Sequence, residues 1–218
     1  MQVFHFVGAA HGLENIRKRR IKIALISQLN DPFELLSVDL SKPDLRRAFH
    51  ALKDTLAQNT GLLCFSSKWS NPVLWSHYAD RHQGLCLGFD LLDDMAAKVS
   101  YKAKRLVAEA EALQSPGVLD EALMRRFLTT KYAHWRYESE VRSFVGIDEK
   151  DLETGHYFLP FSSSLKLTHI IVGCRSGVSR GDLSEALGGN GRDVCCFKAR
   201  MAFRSFKIVR NRKSSFWT

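Results

Sequence analysis

Apolar and polar residues alternate along Gln2–Val7, a stretch rich in β-formers, which predicts a first strand. His11–Arg20 reads as a short helix ending in the basic run Arg17-Lys18-Arg19-Arg20, and Ile21–Ile26 as a short strand broken by the turn residues Asn30-Asp31-Pro32. In Ser41–Gln58 the residues Leu45, Ala48, Phe49, Leu52 and Leu56 share one face. That predicts a helix, opened by a Ser41/Asp44 capping pattern and ended at Gly61. Leu62–Phe65 is an apolar run that suits a buried strand. Pro72–Asp80 suits a helical turn, and Leu85–Asp90 and Val99–Tyr101 suit strands. Arg105–Gln114 and Val118–Ala133 read as helices split by Ser115-Pro116-Gly117. Ser139–Val145, Thr168–Gly173, Val194–Ala199 and Arg204–Val209 complete the chain as strands. This order predicts an α+β fold, with a mostly antiparallel sheet flanked by helices, rather than a regular βαβ array.

The chain has 218 residues, and a chain of that length can bury roughly 70% of its unfolded surface without a staple. One domain over residues 1–218 is expected, with a basic C-terminal strand and tail over 204–218. Hydrophobic residues make up 45% and charged residues 25%, which excludes wholesale disorder. No run of about 18 apolar residues is present, so no membrane span is expected, and Met1–Val7 has no secretory pattern. Cys64, Cys86, Cys174, Cys195 and Cys196 are an odd set without CxxC spacing. They read as buried free thiols in a reducing cytoplasm. The 32 Lys and Arg against 23 Asp and Glu give +9, which favours an acidic partner such as DNA, RNA or a phosphate-bearing ligand.

Several places could carry chemistry. On a strand through Trp135-Arg136-Tyr137-Glu138-Ser139-Glu140-Val141-Arg142, alternation would put Glu138, Glu140 and Arg142 on one face, with successive carboxylates about 7 Å apart. The bland alternative is a solvated Glu–Arg face. Ser66 and Ser67 close an apolar strand. Trp75 and Tyr78, spaced i and i+3, either stack on a planar ligand ring or pack in the core. His5 faces away from Phe4 and Phe6. His77 and His82 have poor metal-ligand spacing, so no metal is expected. Gly188-Gly189-Asn190-Gly191 lacks the Lys-Ser/Thr of a phosphate loop and reads as a flexible connection. Finally, Arg204, Lys207, Arg210, Arg212 and Lys213 interleave with Phe203, Phe206 and Phe216, a pattern suited to single-stranded nucleic acid or to a solvated edge.

Several segments together resemble a domain-of-unknown-function family spread through bacteria and phages, often near defence genes. They are Asn30-Asp31-Pro32-Phe33-Glu34, Cys64-Phe65-Ser66, Trp75-Ser76-His77-Tyr78-Ala79-Asp80 followed by Gly84 and Gly88-Phe89-Asp90, and Trp135, Tyr137-Glu138, Glu140 and Arg142. More distantly, the order of elements is similar to the ADP-ribosyltransferase superfamily. That resemblance implies an NAD-using transferase in a toxin or defence setting, acting on a nucleic-acid or protein acceptor. It would place His5 at the first-strand position, Ser66 or Ser67 at the middle one, and Glu140 as catalytic glutamate with Glu138 upstream. Trp75 or Tyr78 would stack on nicotinamide, while Arg17, Arg19, Arg20, Arg204, Lys207 and Arg210 would meet phosphates. The middle motif departs from the superfamily pattern, being Phe-Ser-Ser rather than Ser-Thr-Ser. The rival expectations are a nucleic-acid-binding protein or nuclease using Glu138, Glu140 and Asp80, and a non-enzymatic sensor or interaction module.

Overall fold

A computed structural model describes residues 1–107, 121–213, 215 and 217. In chain order the elements are β1 (Gln2–Val7), α1 (Ala9–Arg17), β2 (Arg20–Lys22), β3 (Ala24–Leu25), α2 (Pro43–Asn59), β4 (Thr60–Ser66), α3 (Pro72–Tyr78) and β5 (Leu85–Leu91). There follow β6 (Ala97–Lys98), β7 (Ser100–Lys102), α4 (Glu121–Leu128), β8 (Thr130–Tyr132), β9 (Glu140–Gly146), β10 (Phe158–Pro160), β11 (Leu165–Val172), α5 (Arg180–Leu187), β12 (Cys195–Met201) and β13 (Ile208–Arg210). The fold is α+β. The strand pairings are mainly antiparallel, with parallel exceptions at β11–β12 and β7–β8.

The chain forms two compact units, each built from separated segments. The first comprises Met1–Lys22, Phe65–Ala96 and Phe158–Thr218, and the second Ile23–Cys64 and Ala97–Tyr157. In the first unit the strands run β13-β12-β11-β5-β1, and Phe4 on β1 pairs with Ser66 at the end of β4. β5 is central, buried at every position but Asp90, which is why Leu85–Leu91 reads as one apolar run. Its core joins Phe4, Trp75, Ala79, Cys86, Ile171 and Phe197. Gly84 lets chains approach closely, since a Cβ there would lie 2.1 Å from the Val7 carbonyl oxygen.

In the second unit β3 pairs with β4, β4 neighbours β9, and β9 pairs with β6. Leu45 and Phe49 of α2 pack with Val38, Leu106 and Phe127. α2 begins after Lys42 with Pro43 in its first turn, and no side chain caps it. Ser41 instead donates its N–H to Asp39, and Asp44 pairs with Arg47, so the expected capping pattern does not form. The expected helix to Ala133 stops at Leu128. There the Thr129 and Thr130 hydroxyls donate back to the Arg125 and Arg126 carbonyls, and Thr130–Tyr132 joins β7 as a strand. The expected Ser115–Gly117 break, and Phe216, lie outside the described residues. Of the expected strand Arg204–Val209 only the end is extended; 202–207 form the turn of a β12–β13 hairpin.

Candidate functional site

The densest polar arrangement lies in the second unit. Its first part is the turn Asn30–Glu34. Asp31 accepts the Phe33 N–H at 2.9 Å on its side chain and the Glu34 N–H at 2.9 Å on its carbonyl. This aspartate turn is the physical reason for the Asn-Asp-Pro-Phe-Glu pattern, and it sets Glu34 at 4% exposure. The second part is Lys131 on β8. The third is the segment ahead of β9, where the structure corrects the strand expectation. Ala133–Glu138 is a 3-10 helix, Ser139 takes a left-handed conformation with φ 46°, and extended backbone begins only at Glu140.

Glu138 and Glu140 meet for that reason and not by strand alternation. The Lys131 ammonium lies 2.7 Å from Glu138, 3.0 Å from Glu140 and 3.3 Å from Glu34. Arg142, 1% exposed, donates Nε to Glu140 at 2.9 Å and one terminal nitrogen to the Leu128 carbonyl at 2.6 Å. Its other terminal nitrogen pairs with Glu34. Three carboxylates against two cations leave these five groups at a formal −1. The solvated-face alternative for Glu138, Glu140 and Arg142 is therefore corrected: all three are buried.

The charges hold one another in place. Burial pushes Glu140 upward, but Arg142 and Lys131 outweigh it and keep its carboxyl below the usual range. Burial works against charge on Lys131 as well. Glu140, Glu34 and Glu138 overcome it and hold the ammonium protonated well beyond its ordinary range. Tyr101 accepts the Glu140 N–H at 2.8 Å on its hydroxyl, and burial pushes its pKa up to about 12. Trp135 lies over the Lys131 ammonium, 5.0 Å from ring centre to nitrogen. Lys131 also lines a cavity of about 260 Å³ with Phe33, Lys102, Lys104, Arg105 and Tyr132.

The other expected residues belong to the first unit. His5, half-buried on β1, sits edge-on to Phe65 at 6.1 Å. Ser66 is buried and accepts the Lys68 N–H at 3.0 Å, while Ser67 is exposed. Trp75 is 0% exposed. It lies edge-on to Phe6 at 5.3 Å and donates its indole N–H to the Trp69 carbonyl, so it is core and not a ligand wall. Tyr78 is half-buried. The basic run does not act as one patch: Arg17 pairs with Glu14 and Glu185, Arg20 lies 3.7 Å over Phe158, and Arg19 is exposed. Arg204, Lys207 and Arg210 are exposed on the hairpin, with Arg210 over Phe197. Of the five cysteines, all free, only Cys86 is buried and the rest are half-buried. Burial pushes the Cys64 thiol up to about 12.

Sequence reasoning missed two members of the cluster. Glu34 was legible only as the last letter of a turn motif, and Lys131 had no signal of its own. Among the described residues, no group of three or more His, Cys, Asp or Glu is arranged to hold a metal ion, and no helix is long and apolar enough to cross a membrane. No family model, curated protein or solved structure matches the chain.

Proposed function

We propose that the chain is an ADP-ribosyltransferase-like enzyme that consumes NAD, with Glu140 as its catalytic carboxylate and Glu138 beside it. The observation that carries this reading is the convergence of Glu138, Glu140 and Glu34 on Lys131 with a surplus of negative charge, in which Glu140 is held ionised. Cleavage of the nicotinamide–ribose bond builds positive charge on the sugar. A fixed anion facing that charge stabilises the transition state more than the ground state. Both Glu140 oxygens already receive Lys131 and Arg142, so its contribution is electrostatic, and Glu138 is the base. The acceptor's lone pair forms the new bond to the anomeric carbon and nicotinamide departs neutral with the electrons of the broken bond. The acceptor's proton passes to Glu138. The reading rests on the second unit alone; the ribose and ring contacts expected of His5, Ser66, Ser67 and Tyr78, all in the first unit, form no part of it. Nor do those expected of Trp75, which is fully buried.

The test is to incubate the chain with NAD and with DNA, RNA and protein acceptors, following nicotinamide release and label transfer. Glu140→Gln keeps the shape and removes the charge. It is expected to lower the rate by about 10²-fold or more, the scale of a lost electrostatic contact in a catalytic site. Absence of both products from the wild type, or equal rates in Glu140→Gln, overturns the reading.

A second reading, single-stranded nucleic-acid binding, is favoured by the β12–β13 hairpin. Phe203 and Phe206 are 91% and 98% exposed there, next to Arg204 and Lys207 respectively. Nearly naked aromatic rings among cations are platforms for bases. Changing both Phe203 and Phe206 to Ser should weaken a fluorescent oligonucleotide at least tenfold at about 1–3 kcal/mol per stacked base. Unchanged anisotropy removes this reading.

A further inference from the structure

The first unit holds a cavity of about 340 Å³, bounded by the end of α1, the segment between β10 and β11, and the glycine-rich turn after α5. Three cations line it: Arg19, Lys166 and Arg192. Among the described residues none of the three joins an ion pair, although Arg17 and Lys18 beside them spend their charges on Glu14. With Asp193 also on the wall, the lining carries a formal +2. Ile16, Phe161 and Leu167, all buried, supply an apolar floor.

Two backbone features preset this wall. Arg19 stands in the left-handed region at φ 49°, which is uncommon for a residue with a side chain. It is held there because its carbonyl accepts the Phe161 N–H at 2.8 Å and its own N–H donates to Ile16. On the opposite side, Gly188 ends α5 at φ 52°, ψ −134°, a conformation open essentially to glycine alone, and Asn190 and Arg192 follow it into the cavity wall. Like charges gathered around a concave surface repel one another until an anion neutralises them, and a cleft focuses that field. The volume lies within the range of small-ligand sites.

We infer that this cavity binds a phosphorylated small molecule bearing two or more negative charges, of nucleoside-diphosphate size, with its phosphates on Arg19, Lys166 and Arg192 and its apolar part on the floor. The site is independent of NAD consumption, since every residue in it belongs to the first unit and none is Glu138 or Glu140.

Calorimetric titration of the whole chain with ADP, inorganic pyrophosphate and adenosine tests it without turnover. ADP and pyrophosphate are expected to bind one per chain and adenosine not at all. Lys166→Glu and Arg192→Glu, both at exposed positions, should each weaken ADP about tenfold or more, equivalent to about 1.4 kcal/mol. Lys98→Glu, a reversal of an exposed charge that is not part of the cavity lining, should change it less than about twofold, as expected for a solvent-screened surface charge. Equal affinity for ADP and pyrophosphate would assign the site to the phosphates alone, and tighter ADP would assign the floor to the nucleoside. No binding of either, or equal weakening by Lys98→Glu, overturns the inference.

Discussion

Arg142→Met is the sharpest probe of the buried cluster. The guanidinium is 1% exposed and serves Glu34, Glu140 and the Leu128 carbonyl together. Methionine roughly fills the space but leaves Lys131 alone against three carboxylates, taking the cluster from a formal −1 to −2. Removing one partner of a buried ion pair costs about 3–5 kcal/mol, because the other charge stays behind unpaired. For a domain of this size, ~2–4 °C per kcal/mol makes that a fall of about 6–20 °C in the melting midpoint. Circular dichroism melts at pH 7 give the first reading, with Arg47→Met as control. That exposed residue pairs with Asp44 on α2, and its loss should cost under about 1 kcal/mol. A pH series gives the second: orphaned carboxylates take up protons as the pH falls, so the gap between Arg142→Met and wild type should narrow toward pH 4. The double variant Glu140→Met, Arg142→Met should cost less than the sum of its parts, since it removes the charge that the single variant strands. A single-variant loss below about 1 kcal/mol, or a gap unchanged by pH, would refute the argument that these charges hold each other in place.

Two further outcomes follow from geometry and titration. Glu140 is held below its ordinary range, so its contribution is complete above the unfolded carboxylate pKa of about 4.3 and fades as the pH falls through the folded value. Tyr101 and Lys131 are raised, so theirs is complete below about pH 10 and fades above it, for Tyr101 through about 12. Urea midpoints across pH should therefore show a plateau with both shoulders, and Tyr101→Phe should soften only the alkaline one. Gly84→Ala would set a methyl 2.1 Å from the Val7 carbonyl oxygen and 2.9 Å from Ala79 backbone atoms, none of which is a flexible side-chain end. It should lower stability by about 2–3 kcal/mol by denaturant titration, whereas Gly177→Ala, with nothing within 4 Å, should stay within about 0.5 kcal/mol.

The helix α2 was legible because Leu45 and Phe49 recur at a helical period, and β5 because nearly all of it is one buried apolar run. The candidate site was legible in its residue types but not in its construction. Glu138 and Glu140 were expected together because strand neighbours two apart share a face. They meet instead through a 3-10 helix and a left-handed serine, a combination that no period of two or 3.6 describes. Glu34 and Arg142 are 108 residues apart, and their pairing appears only when the chain is folded. Trp75 misled because i, i+3 aromatic spacing reads the same whether the helix face looks to a ligand or to a core. The division into two units was equally invisible, since neither is a contiguous stretch with a compositional seam.

The chain crosses between its two units four times, near residues 22, 64, 96 and 157. No single cut liberates either unit, so neither can be cloned as a terminal fragment. During synthesis β1 emerges some 80 residues ahead of its neighbour β5, and β11, which covers β5 on its other side, comes later still. Until then its edges are open to pairing with other chains, and growing chains near one another on the same messenger are the partners most exposed to it. Completion of the first unit's sheet therefore waits for β11, β12 and β13 rather than for any local element.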